Sequence, residues 1–204
     1  VALLDQLLGL RCPGCDGKLD TVALCQACRA ELVPRHLPGF VYLGSYNRFG
    51  RLGRAVKYGG RRNLAELLAL ELARGLGQVE WGIEGVTAIP TLALRRIQRG
   101  YNQAELLGQG IARGLGVPYR DTLARARHTA SQTQKSLAGR KELAEDTFKA
   151  RGPVRGVWLL VDDVVTTGTT FARARKALLE GGASRVVGAA IAVRSARDLA
   201  EFSL

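Results

Sequence analysis

Apolar positions along the chain fall into two kinds of run. One kind is short, continuous and rich in β-branched residues. Residues 157–161 and 185–193 read in this way as strands buried on both faces, as a parallel sheet requires. Shorter candidates are 40–46, which alternates weakly, 86–89, which stops at Pro90, and 122–127. The other kind recurs every three or four residues. Leu64, Leu67, Leu68, Leu72 and Leu76 make a stripe that predicts a helix over 63–76. Ala104, Leu107, Ile111 and Leu115 predict a second helix. Phe171, Ala174, Leu178 and Leu179 predict a third, stopped by Gly181-Gly182. A weaker helical segment covers 51–57 before Gly59-Gly60, and Leu3, Leu4, Leu7 and Leu8 give residues 1–10 an amphipathic look. Between these, 31–38 reads as a linker, and 47–50 and 151–155 as turns. Strands interleaved with helices predict an α/β fold, a parallel sheet flanked by helices.

The run at 157–161 leads straight into chemistry. It ends in Asp162 and Asp163, then passes through Val164, Val165, Thr166, Thr167, Gly168, Thr169 and Thr170 into the third helix. In open α/β sheets ligands sit outside the carboxyl ends of the strands. A helix N-terminus there presents N–H groups and partial positive charge to an anion. The Thr hydroxyls add donors, and Gly168 permits close backbone approach. The stretch therefore reads as a phosphate cradle, with two carboxylates beside it for hydroxyls or a hydrated metal. An apolar strand ending in acids also occurs as the Mg²⁺ strand of P-loop NTPases, but that fold needs GxxxxGK[ST], and Gly17-Lys18 lacks both the spacing and the Ser/Thr. A plain helix cap on a solvated turn is the other alternative.

A second strand end, at Pro90, is followed by Arg95, Arg96, Arg99, Gly100, Asn102 and Gln103, a set of cations and amides suited to an anion or else a solvated basic face. Gly108, Gly110, Gly114 and Gly116 do not have GxGxxG spacing, so they make no dinucleotide motif. The chain's four cysteines fall as two CxxC pairs, Cys12/Cys15 and Cys25/Cys28, separated by nine residues. Two such knuckles supply a tetrahedral sulfur set suited to structural Zn²⁺. Disulfides and a redox CxxC are the alternatives. The first conflicts with the expected compartment, and neither pair opens a helix after a strand. His36 and His128 are isolated and carry no catalytic pattern.

Composition adds a bias in partners. The 204 residues are 47% hydrophobic, long enough for one main domain with an appendage. The net charge of +12 favours polyanions such as phosphorylated substrates, nucleic acid or an acidic protein. An Arg-rich, Lys-poor composition is equally expected of a genome rich in G and C. No stretch approaches the ~20 apolar residues of a membrane span. No basic-then-apolar segment opens the sequence as given, and a cytoplasmic location is expected.

The stretch 161–170 resembles the phosphoribosyl-pyrophosphate (PRPP) motif of type I phosphoribosyltransferases. Three further tracts resemble the ComF branch of that superfamily. They are Tyr46 with Lys57, Tyr58 and Gly59; Arg99-Gly100-Tyr101-Asn102-Gln103, close to RGxNQ; and Arg125, Arg127, Thr129, Ser131, Gln132, Thr133 and Arg140, closed by Phe148. Leu143 departs from the pattern, standing where ComF proteins usually have Asn. The resemblance implies a type I phosphoribosyltransferase-like sheet over 37–204, with a zinc-binding module at 1–36. It implies that Asp162 and Asp163 are the catalytic acids, holding the ribose hydroxyls and, through substrate or water, Mg²⁺. Residues 164–170 would take the 5′-phosphate. Pro90, Arg96, Arg99, Gly100, Asn102 and Gln103 would form the pyrophosphate loop, and Arg127, Thr129, Gln132 and Arg140 belong to a mobile loop that covers the substrate. The implied function is PRPP-dependent phosphoribosyl transfer to an unread acceptor, in competence and DNA uptake. Single-stranded DNA and a helicase-like competence protein are the implied partners. The alternatives are a non-catalytic DNA- or protein-binding component of the uptake machinery and a PRPP sensor.

Overall fold

The computed structural model describes residues 11–58, 62–91, 102–125, 148–195 and 199. After the cysteine segment and the short helix α1 (Gln26–Ala30) come strands β1 (Arg35–Leu37) and β2 (Phe40–Ser45). Helices α2 (Tyr46–Tyr58) and α3 (Arg62–Leu76) lead to β3 (Gly85–Ala88), then α4 (Gln103–Leu115). The short strands β4 (Leu123–Arg125) and β5 (Phe148–Ala150) precede β6 (Val157–Val165), α5 (Thr169–Glu180) and β7 (Arg185–Val193). The main sheet has five strands in the order β1-β2-β7-β6-β3. The pairs β2–β7, β7–β6 and β6–β3 are parallel, and β1 runs antiparallel at the edge. β4 and β5 make a separate antiparallel pair.

Both faces of the sheet are covered, which is why its central strands read as continuous apolar runs. On one face α2, α3 and α4 bury Leu52, Val56, Leu64, Leu68, Leu72, Leu107 and Ile111 against Val41, Leu159, Val161 and Val187. On the other, α5 buries Phe171, Ala174 and Leu178 against Phe40, Leu160 and Ala190. Phe40 and Phe171 meet edge to face, with centroids 5.2 Å apart. Gly188 lies between these two rings, which a Cβ there would strike. Cys12, Leu19, Leu24, Cys25, Cys28 and Leu32 join the first cluster, so the cysteine segment shares its core with the sheet.

The glycines of α4 serve packing. A Cβ on Gly110 would lie 2.5 Å from that of Ala69, and one on Gly114 would lie 2.7 Å from that of Ala73. Small residues four apart on facing helices thus let α3 and α4 approach closely.

Several expectations need correction. The supposed linker at 31–38 contains β1, whose His36 Nε2 lies 2.9 Å from the Gly75 carbonyl oxygen. Three residues, two of them exposed, are too few to show alternation. Residues 47–50 are not a turn but the start of α2. Gly50 fits there because it lies against the Tyr46 ring of the preceding turn. The central strand does not end at the acids. β6 continues through Val164 and Val165, paired with Ala192 and Val193 of β7. The candidate strand at 122–127 is realised as β4 from Leu123 to Arg125, with 126 and 127 outside the described residues, and its partner β5 was not foreseen. The candidate strand at 185–193 is realised as β7 and the helix at 63–76 as α3. The amphipathic segment 1–10 lies outside the described residues. Among the described residues, no helix is long and apolar enough to cross a membrane.

Candidate functional site

Four parallel strands present their carboxyl ends along one edge: Ser45, Val193, Val165 and Ala88. Of the candidate residues, those from Asp162 to Thr170 and Pro90, Asn102 and Gln103 lie at or beside this edge. Asp162 and Asp163 lie in the last turns of the β6 pleat but differ in surroundings. Asp163 is 7% exposed, and its Oδ2 would stand 3.4 Å from a Cβ on Gly53 of α2. Asp162 is half-buried, and its Oδ1 accepts from the Asp163 N–H at 2.8 Å. Thr166, Thr167 and Gly168 form the turn, and Thr169 and Thr170 open α5. Gly168 is the N-cap at φ 72°, a left-handed conformation open to glycine at little cost, and no side chain caps this helix. The first N–H groups of α5 therefore point outward without a side-chain cap. Thr167 Oγ1 donates to Thr169 Oγ1 at 3.2 Å.

Arg194 was not singled out from sequence. Its N–H donates to the Val165 carbonyl at 2.9 Å, and its guanidinium carbon sits 5.3 Å from the centre of the Tyr46 ring. An exposed cation is thereby held beside the turn. The signal was present in sequence, as a cation directly after a long buried strand.

At the β3 end, Asn102 is 7% exposed and uses both ends of its amide. Its Oδ1 accepts from Ala104 N at 3.2 Å, capping α4, and from Thr91 Oγ1 at 3.0 Å. Its Nδ2 donates to the Ile89 carbonyl at 3.2 Å. Asn102 thus clasps the end of β3 to the start of α4. Gln103 is buried as the first residue of α4. Arg125 Nη1 donates to the Pro90 carbonyl at 3.4 Å while its guanidinium lies over the Phe148 ring. Arg96, Arg99, Gly100, Arg127, Thr129, Gln132 and Arg140 lie outside the described residues.

The four cysteines converge. Their Sγ atoms all lie within 4.8 Å of one another. Cys15 and Cys25 Sγ are 3.7 Å apart, close to the edge of about 3.8 Å expected for a tetrahedron with Zn–S bonds of ~2.3 Å. Backbone N–H groups point at the sulfurs. Cys12 Sγ accepts from Gly14 and Cys25, and Cys25 Sγ accepts from Cys28, each at 3.4 Å. Burial pushes the Cys12 thiol up, but N–H groups of Cys25, Cys15 and Gly14 outweigh it and lower it to about 7. Burial pushes the Cys28 thiol up to about 12, against an opposing hydrogen bond from Arg48. The set fits a four-coordinate metal and leaves no open position.

No family model matches the chain. The DNA utilization protein YhgH of Salmonella typhi is 39% identical over 103 residues, 50% of this chain and 45% of the relative. That protein's Escherichia coli K12 counterpart is 37% identical over the same span. The chain thus covers less than half the length of these relatives. Among solved structures, an adenine phosphoribosyltransferase overlaps 87% of this chain and 95% of its own at TM-score 0.45 and 16% identity. The glutamine PRPP amidotransferase of B. subtilis overlaps 68% and 30% at TM-score 0.41 and 23% identity. These structural overlaps are loose, and the assignment rests on sequence. Competence protein F of Haemophilus influenzae is 30% identical over 200 residues, 86% of this chain and 86% of its own length. The chain belongs to the family of competence protein F, the ComF family.

Proposed function

We propose that this chain is a PRPP-binding, phosphoribosyltransferase-like protein of competence and DNA uptake, acting in the cytoplasm. The observation that carries the reading is the carboxyl edge of β6, where an accessible Asp162 adjoins a Thr/Gly turn opening an uncapped helix. Hydroxyl and backbone N–H donors suit the 5′-phosphate, and the carboxylates accept from the ribose hydroxyls. Oxygen donors of this kind also fit Mg²⁺, which would be held through Asp162, substrate and water and would screen the pyrophosphate charge. In transfer, the bond from the ribose anomeric carbon to pyrophosphate breaks, with its electron pair leaving on the pyrophosphate. The acceptor's lone pair forms the new bond on that carbon. Arg194, together with Arg96 and Arg99 of the loop after Pro90, would stabilise the leaving charge. The segment 125–140, which carries Arg127, Thr129, Gln132 and Arg140, would cover the substrate and exclude water. The four cysteines of the 1–36 module would hold structural Zn²⁺.

The +12 charge supports a second reading, direct binding of single-stranded DNA alongside a helicase-like partner. Calorimetry with PRPP and Mg²⁺ separates the two. Wild type binds, and the Asp162→Asn/Asp163→Asn double variant loses at least tenfold in affinity. Absence of binding in wild type, with no competition by pyrophosphate, refutes the PRPP reading. DNA affinity that falls steeply with salt and survives the double substitution supports the second.

A further inference from the structure

Helix α2 begins at the carboxyl edge of β2 and passes the cysteine cluster on its way. Its third residue, Arg48, points into that cluster. Nη2 donates to Cys28 Sγ at 3.3 Å, and Nη1 to the Gly14 carbonyl at 3.3 Å. The guanidinium is itself gripped by Glu31, with Nε to Oε2 at 2.7 Å and Nη2 to Oε1 at 2.8 Å. Arg48 therefore touches both halves of the knuckle pair: Gly14 in the first CxxC and Cys28 in the second. Glu31 lies just beyond α1, which the second CxxC opens.

We infer that Arg48 is a positioning residue for the metal held by the four cysteines. Its forked guanidinium fixes the Cys28 sulfur and the first knuckle, and Glu31 fixes the guanidinium. Four thiolates around a divalent ion carry a net charge of about −2, and a guanidinium in contact with one sulfur offsets part of it. A lysine has the charge but lacks the planar fork needed to reach sulfur, carbonyl and carboxylate together. The same helix lies against the ligand-site strand, since Gly53 adjoins Val164 and Asp163. Arg48 thus ties the knuckles to the element that backs Asp163.

The inference rests on the cluster holding a metal, and the test separates the two claims. The full chain, loaded with Zn²⁺ or Co²⁺, is titrated with a chromophoric chelator at fixed pH, and the sulfur-to-cobalt charge-transfer band is recorded. Arg48→Ala should weaken metal binding by about 10–100-fold, as loss of an outer-shell partner does, and shift that band. Arg48→Lys should recover only part of the affinity, and Glu31→Gln should lose less than Arg48→Ala. Wild-type affinity in both Arg48→Ala and Glu31→Gln overturns the inference while leaving the metal reading intact. If Arg48→Ala does not fold even with saturating Zn²⁺, the exposed Glu31→Gln decides, and wild-type affinity there overturns the inference. If wild type takes neither Zn²⁺ nor Co²⁺, the metal reading fails and the inference falls with it.

Discussion

Asn102 sits in a tract whose family resemblance points to pyrophosphate, yet its amide is already committed within the fold. Replacing it by Ala removes the α4 cap and the bonds to Thr91 and the Ile89 carbonyl. Loss of an Asn cap costs about 1 kcal/mol. Each of the two remaining hydrogen bonds contributes about 0.5–1.5 kcal/mol, toward the upper end where the abandoned partner is buried. The sum is about 2–4 kcal/mol, which for a chain of this size lowers Tm by roughly 5–10 °C. Asn102→Ser should restore the cap and recover about 1 kcal/mol. Asn102→Asp keeps the two acceptor contacts but sets a second oxygen against the Ile89 carbonyl, so it should recover less than the cap alone suggests. Thermal and urea melts, run beside PRPP titration of the same samples, decide the role. A clasp predicts that affinity falls only as stability falls. An unchanged Tm with affinity abolished would refute the clasp and make Asn102 a direct ligand donor.

Two further substitutions test close approaches. Gly110→Ala with Gly114→Ala should destabilise by about 1–3 kcal/mol per site through overpacking against Ala69 and Ala73, although helix propensity alone favours Ala by about 1 kcal/mol; a raised Tm in chemical or thermal melts would show that α3 and α4 are not so close. Gly53→Ala places a Cβ 2.6 Å from Val164 Cγ2 and should weaken PRPP binding severalfold while altering stability by no more than about 2 kcal/mol, since propensity and crowding oppose each other; calorimetry finding unchanged affinity would detach α2 from the site.

What the sequence determined by itself was whatever repeats over a few residues. The stripe from Leu64 to Leu76 gave α3, the run at 185–193 gave β7, and two CxxC pairs gave a converging sulfur set. In each case backbone geometry ties neighbouring positions to one face or one point, so spacing carries the information. The strand–acid–Thr/Gly–helix order likewise pointed to the end of β6, though two residues short of where the strand stops. Tertiary structure decided what depends on partners distant in the chain. β1 is a strand because β2 pairs with it, and β5 because β4 does. Val164 and Val165 stay in β6 because β7 reaches as far. Asp163 is buried and Asp162 accessible because α2 brings Gly53 over one of them. Arg48 meets Cys28 across twenty residues, and Arg194 meets Tyr46 across the sheet edge. Such contacts leave no period in the sequence. They follow from how folded elements fill space, and only close packing fixes which side chain meets which.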